Sequence, residues 1–186
     1  MFNRSERLFL RPAWAEVLTA INDAAVVRNL ARVPWPYRAE DARWFVGRPQ
    51  DRRHPDFLVT LPGADGARVI GCAGMAAGEN GTAEIGYWIT RSHWGRGYAT
   101  EAARAVLSVA RALGHDRIEA GHFLDNPASG KVLRKLGFTP TGQHRLRRSE
   151  GRGTSATSVI YETRLCAADN SGDDGGGDPE PMRRAA

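Results

Sequence analysis

Residues 82–100 read TAEIGYWITRSHWGRGYAT. The first half alternates with the period of a half-buried strand, and the second half passes through Gly95 and Gly97 into a run whose apolar residues recur at helical spacing. A strand, a glycine-bearing loop and a helix in that order form a cradle for a phosphorylated ligand. Glycine lets the backbone approach a ligand and take positive φ, and the helix opening near Tyr98 turns unpaired N–H groups and a positive dipole end toward the loop. For an isolated Gly-x-Gly the alternative is a tight strand-to-helix turn with no ligand. A dinucleotide fingerprint fits less well, because it wants Gly-x-Gly-x-x-Gly and Thr100 stands at the third glycine position.

Working outward, the pattern predicts strands at Asp56–Leu61, Arg68–Ala76 and Thr82–Thr90, an antiparallel meander with Gly78-Glu79-Asn80-Gly81 as one of its turns. Before it stand a strand at Glu6–Arg11 and helices at Ala15–Ala25 and Glu40–Arg48. After it, a helix over Tyr98–Leu113 buries Ala102, Val106, Val109, Ala110 and Leu113 and ends at Gly114. A strand at Arg117–His122 follows. Asn126-Pro127 reads as an N-cap with proline at the first helical position, and Gly137 closes that helix. Strands at Phe138–Leu146 and Ser155–Leu165 finish an α/β (α+β) domain of order β-α-α-β-β-β-α-β-α-β-β, a mixed, mostly antiparallel sheet flanked by helices.

A chain of 186 residues with 41% hydrophobic and 25% charged residues suits one domain with a real core. That domain is expected over residues 1–166. The remainder, 167–186, sets five acids against two arginines and has almost nothing to bury, so it reads as a disordered acidic tail. Since the whole chain carries +5, residues 1–166 carry +8, a balance that suits an anionic cofactor or an acidic substrate. The arginines are scattered rather than blocked, which makes a nucleic-acid partner unexpected. No apolar run approaches the roughly 20 residues that span a bilayer, and the charged start, MFNRSERLFLRP, is unlike a signal peptide. A soluble cytoplasmic protein without a membrane partner is expected. Cys72 and Cys166 are too isolated for a disulfide framework, no two histidines have ligand spacing, and no metal is expected.

Several segments, in order and spacing, resemble the GNAT superfamily of N-acetyltransferases, and most closely its RimJ/RimL-like branch of ribosomal-protein N-terminal acetyltransferases. They are Arg7-Leu8-Phe9-Leu10-Arg11-Pro12, Ile70-Gly71, Gly86-Tyr87-Trp88-Ile89, Trp94-Gly95-Arg96-Gly97-Tyr98-Ala99-Thr100-Glu101-Ala102, Asn126-Pro127-Ala128-Ser129 and Leu133-Arg134-Lys135-Leu136-Gly137-Phe138. The resemblance implies acetyl-CoA as co-substrate. Its pyrophosphate would lie on the backbone of Gly95, Arg96, Gly97, Tyr98, Ala99 and Thr100, with the Arg96 side chain beside a phosphate. Trp88, Ile89 and Thr90 would pair their backbone with the pantetheine arm, and Asn126 would bond its amides. The family pattern opens with Gln or Arg where this chain has Trp94, a departure that bears on how the loop is braced.

Acetyl transfer to an amine needs an uncharged nucleophile, a donor for the developing oxyanion and a proton for the departing thiolate. Glu84 shares a strand face with Gly86 and Trp88 and is the expected base; the alternative is a strand carboxylate paired with an arginine. The N–H of Ile89 or a neighbour would face the thioester oxygen. Ser129, one helical turn after Asn126, is the expected acid by the resemblance, with Tyr98 and Tyr161 as weaker donors. Asn126 serves equally as a helix cap. Trp35, Tyr37 and Trp44 either line the acceptor pocket or pack. The expected acceptor is a protein N-terminal α-amine, with a small-molecule amine or a non-catalytic acyl-CoA-binding module as alternatives; a homodimer is compatible with either.

Overall fold

The computed structural model describes residues 3–4, 9–12, 17–62, 67–78 and 81–165. Expectations that fall on residues 6–8, 15–16, 63–66, 79–80 and 166–186, the acidic tail and Cys166 included, lie outside those described residues. In chain order the elements are β1 (Asn3–Arg4), β2 (Phe9–Pro12), α1 (Val17–Ile21), α2 (Ala24–Val27), α3 (Ala39–Gly47), β3 (Asp56–Leu61), β4 (Arg68–Ala77), β5 (Ala83–Ile89), α4 (Tyr98–Ala112), β6 (Arg117–Phe123), α5 (Pro127–Lys135), β7 (Thr139–Ser149) and β8 (Thr154–Arg164). Single 3-10 turns at Arg91–His93 and Glu150–Arg152 join β5 to the loop and β7 to β8.

Two differences from the expected order stand out, and the first has a local cause. Where one helix is expected over Ala15–Ala25, Asp23 sits at φ −139° and its carboxylate accepts from Ala25 N at 2.8 Å. A side chain that satisfies the first N–H groups of a new helix competes with continuing the old one, so α1 stops and α2 starts. The short β1, unexpected, pairs antiparallel with β2.

The strands form one sheet in the order β1-β2-β3-β4-β5-β6-β8-β7, mixed and mostly antiparallel with helices on its faces, as expected. Its strands alternate between two cores. Phe57, Val59, Met75, Ile85, Ile118, Ala120 and Tyr161 pack under Ala102, Val106, Val109 and Ala110 of α4 and Leu133 of α5. Leu58 turns the other way, into a cluster with Val17, Ile21, Val26, Val27 and Tyr37, against which Trp88 packs. Each fully buried aliphatic side chain contributes about 1.5–3 kcal/mol, so packing rather than helix propensity holds α4 in place.

One pairing creates the site. β5 and β6 are the parallel neighbours, and they pair only at Ala83↔Ile118 and Glu84↔Glu119. Beyond that point β5 stays with β4 as far as Ile89, whereas β6 stays with β8 as far as Phe123. The sheet therefore splits into two arms, and a cleft opens at the carboxyl ends of the parallel pair, where open α/β sheets bind their ligands.

Candidate active site

The cradle lies at the end of the β5 arm. Gly95 and Gly97 have φ of 74° and 81°, a region other residues enter at a cost, and Gly97 is the N-cap of α4 with no side chain to cap it. The first α-helical bond runs from Glu101 N to Gly97 O at 3.1 Å, so the N–H groups of Tyr98, Ala99 and Thr100 have no acceptor within the helix. A Cβ built on Gly95 would meet nothing within 4 Å. Open space beside backbone donors is what a pyrophosphate needs, and the site fits one.

Trp94 supplies the brace left open by its departure from the Gln-or-Arg pattern. Its indole Nε1–H donates to Ile89 O at 2.6 Å, tying the loop to the strand end. Behind it, Thr90 Oγ1 and Ser92 Oγ each stand 3.0 Å from His93 Nδ1. Burial, then the Arg96 and Arg68 charges, hold the His93 imidazole below its usual range, which favours its neutral form.

Strand register decides which backbone groups face the cleft. Thr90 N–H donates to Ile70 O at 2.8 Å, so the even-numbered residues of β5 bond to β4 and the odd ones turn away from it. Of Trp88, Ile89 and Thr90, only Ile89 directs its backbone into the cleft, and Tyr87 two residues earlier does the same. The Ile89 carbonyl already holds Trp94.

The β6 arm supplies the opposite wall through α5. Asn126 Oδ1 accepts from Ser129 N at 3.4 Å, the capping alternative, with Pro127 at the first turn. Ser129 Oγ lies 2.9 Å from Tyr87 Oη, a hydrogen bond from α5 to β5 across the cleft. Burial pushes the Tyr87 phenol up to about 12, partly offset by the Ser129 bond, so the ring stays protonated and able to donate. Sequence reasoning missed Tyr87. The available signal was its period-two position on the face opposite Glu84, the face that α5 covers. Tyr161, a weaker expected donor, is 2% exposed in the core, and Tyr98 stands at the start of α4 with its ring 6.2 Å from that of His93.

Glu84 lies on the other face of β5, with Gly86 and Trp88. Both its oxygens are held by Arg147, one in a short contact from Nη1 and one from Nη2 at 3.0 Å. Its register partner Glu119 accepts from Arg145 Nη1 at 3.2 Å and from Arg117 Nη2 at 3.4 Å. Arg147 reaches Glu84 because the end of β7 is anchored above this face: Ser149 Oγ donates to Leu30 O, Glu150 N to Ala31 O and Arg152 Nε to Arg28 O. Arg152 and Arg28 both bond Asp125, whose carboxyl they draw down to about 2 against its desolvation. Tyr37 is a packing residue, whereas Trp35 and Trp44 are exposed. Among the described residues, no group of three histidine, cysteine or acidic side chains is placed to hold a metal.

The chain matches a family model described as "Acetyltransferase (GNAT) domain" over residues 7–139. It is similar to an uncharacterized N-acetyltransferase, p20, of Bacillus licheniformis, 43% identical over 77 residues that make up 40% of this chain and 43% of that protein. The chain spans less than two thirds of the length of the curated relatives it matches. Among solved structures, RimL, a ribosomal L7/L12 α-N-protein acetyltransferase in complex with coenzyme A, superposes with a TM-score of 0.69 at 21% identity, covering 90% of this chain and 99% of that one. Spermidine N-acetyltransferase from Vibrio cholerae, in complex with CoA and spermine, superposes with a TM-score of 0.69 at 18% identity, covering 88% and 98%.

Proposed function

This chain belongs to the GNAT acetyltransferase family, and on that premise we propose that it transfers the acetyl group of acetyl-CoA to a primary amine, the α-amine at a protein N-terminus, as in the RimJ/RimL-like branch. The observation that carries the reading is the split between β5 and β6, with a backbone cradle on one arm and the Tyr87–Ser129 bond bridging to the other. The solved likenesses support RimL and the spermidine enzyme equally. Charge favours the peptide: the acids Glu84, Glu119 and Asp125 already face arginines, so a polyamine finds no open carboxylate there.

Acetyl-CoA supplies a thioester carbonyl activated toward amines. Gly95 to Thr100 hold its pyrophosphate through backbone N–H groups, with the Arg96 guanidinium beside it. The pantetheine arm pairs with the cleft-facing backbone of Tyr87, and the Asn126 amide serves it from α5. The Ile89 N–H donates to the carbonyl oxygen as negative charge develops there. Glu84 takes the proton of the attacking amine, directly or through water. As the C–S bond breaks, the Tyr87–Ser129 pair donates a hydrogen bond to the departing thiolate, which then takes its proton from water.

Free thiol released from acetyl-CoA, measured across N-terminal peptides and small amines, tests the activity. Turnover on peptide α-amines is expected. Turnover confined to small amines replaces the acceptor, and coenzyme binding without turnover on any acceptor makes the chain an acyl-CoA-binding module. A thiol ionises near 8.5, so its thiolate leaves with modest help, and Ser129→Ala and Tyr87→Phe should each lower kcat by about tenfold. Because the two hydroxyls form one unit, the double variant should lose little more than either single one. Fully multiplicative losses would show that they act separately.

A further inference from the structure

On the acceptor side of the cleft, three carboxylates are each met by guanidinium groups from elsewhere in the chain. Arg147 grips Glu84, Arg145 and Arg117 grip Glu119, and Arg28 and Arg152 grip Asp125. The first pair lies where the reaction must occur. Glu84 is the candidate base, yet both its oxygens are turned toward one guanidinium rather than toward an incoming amine. Something must draw Arg147 aside.

We propose that the acceptor brings its own carboxylate, which takes the place of Glu84 on Arg147 and leaves Glu84 to the amine; the inference rests on the acetyltransferase reading. Exchanging one carboxylate for another keeps the two parallel N–H···O bonds of a bidentate pair, so it forfeits little. A neutral acceptor offers no such exchange, since moving Arg147 then leaves a partly buried guanidinium without its carboxylate. A cationic one adds repulsion from Arg145, which lies two residues away on β7 and turns to the same side. The exchange requires only side-chain movement. Ser149 and Glu150 pin the neighbouring backbone to Leu30 and Ala31, and the Arg147 and Glu84 side chains remain 29% and 17% exposed, enough for a substrate group to reach them.

The carboxylate has two possible sources, the side chain of an acidic residue near a peptide N-terminus or the α-carboxylate of a free amino acid. Thiol release should be followed with peptide amides beginning Ala-Glu, Ala-Gln and Ala-Lys, and with alanine against alaninamide. The wild-type chain is expected to prefer the carboxylate-bearing member by about tenfold or more in kcat/KM, with the lysine peptide poorest. Preference within the peptides assigns the side chain, and preference for alanine over its amide assigns the free amino acid. Arg147→Gln should collapse that preference toward unity, and Arg147→Lys should restore part of it without the bidentate geometry. Turnover without a charge preference in either set overturns the exchange while leaving acetyl transfer standing. A preference that survives intact in Arg147→Gln also overturns it. No turnover on any of the five removes the exchange together with the reading beneath it.

Discussion

Glu84→Gln is expected to lower kcat by about 10²–10⁴-fold, the range that a positioned acid or base supplies. The replacement keeps the shape of the side chain and one acceptor oxygen but cannot take the amine proton. Affinity for acetyl-CoA should hardly change, because Glu84 faces away from the side of β5 that carries Tyr87. A structural cost accompanies the catalytic one. The new amide presents N–H groups to the Arg147 guanidinium where an oxygen stood, and losing a charge-assisted bond at a partly buried site costs about 1–3 kcal/mol. That cost appears in the thermal midpoint, whereas the loss of the base appears in kcat at a temperature where the variant is fully folded. A kcat within about threefold of wild type under those conditions would leave Glu84 as a strand carboxylate paired with an arginine, well below what loss of a base produces.

Whether Glu84 acts as base or as structural partner shows where sequence reading reached its range. Strand β3 was legible to the residue, and β5 and α4 to within about one, because period-two alternation and helical spacing are local signals. The β5–loop–α4 cradle was legible for the same reason, since its glycines, N–H groups and dipole all come from contiguous chain. What stayed hidden depends on distant chain. Arg147 lies 63 residues from Glu84, and it meets it only because Ser149, Glu150 and Arg152 dock on the segment after α2. Tyr87 and Ser129 are 42 residues apart, on two arms whose separation follows from where the β5–β6 pairing stops. Trp94 could be recognised as a departure, but its partner, the Ile89 carbonyl, could not, since any carbonyl of the strand end would have served. The division of α1 from α2 is different: Asp23 is a local cap signal, but it lies inside an apolar periodicity that spans both helices.

Gly97→Val should separate the two halves of the cofactor site. At φ 81° a β-branched residue is strained by about 1–2 kcal/mol, and as the N-cap of α4 it can relax only by turning the first helical turn away from the cleft. If two backbone N–H bonds to the pyrophosphate are lost, each worth about 1.5–3 kcal/mol to a charged group, the Kd for coenzyme A rises by at least about 10²-fold. Calorimetric titration of the folded variant measures this, and the strain itself should lower the midpoint by about 2–8 °C for a chain of this size. An acetyl donor shortened to S-acetylpantetheine supplies the discriminating comparison. Having no pyrophosphate to lose, it should show nearly the same kcat/KM in wild type and variant, so the advantage of the full cofactor falls while the chemistry at Glu84, Tyr87 and Ser129 is preserved. Equal loss with both donors would mean that the introduced valine disturbs the β5 end through Trp94 rather than the cradle, and an unchanged Kd for coenzyme A would move the pyrophosphate off this loop altogether.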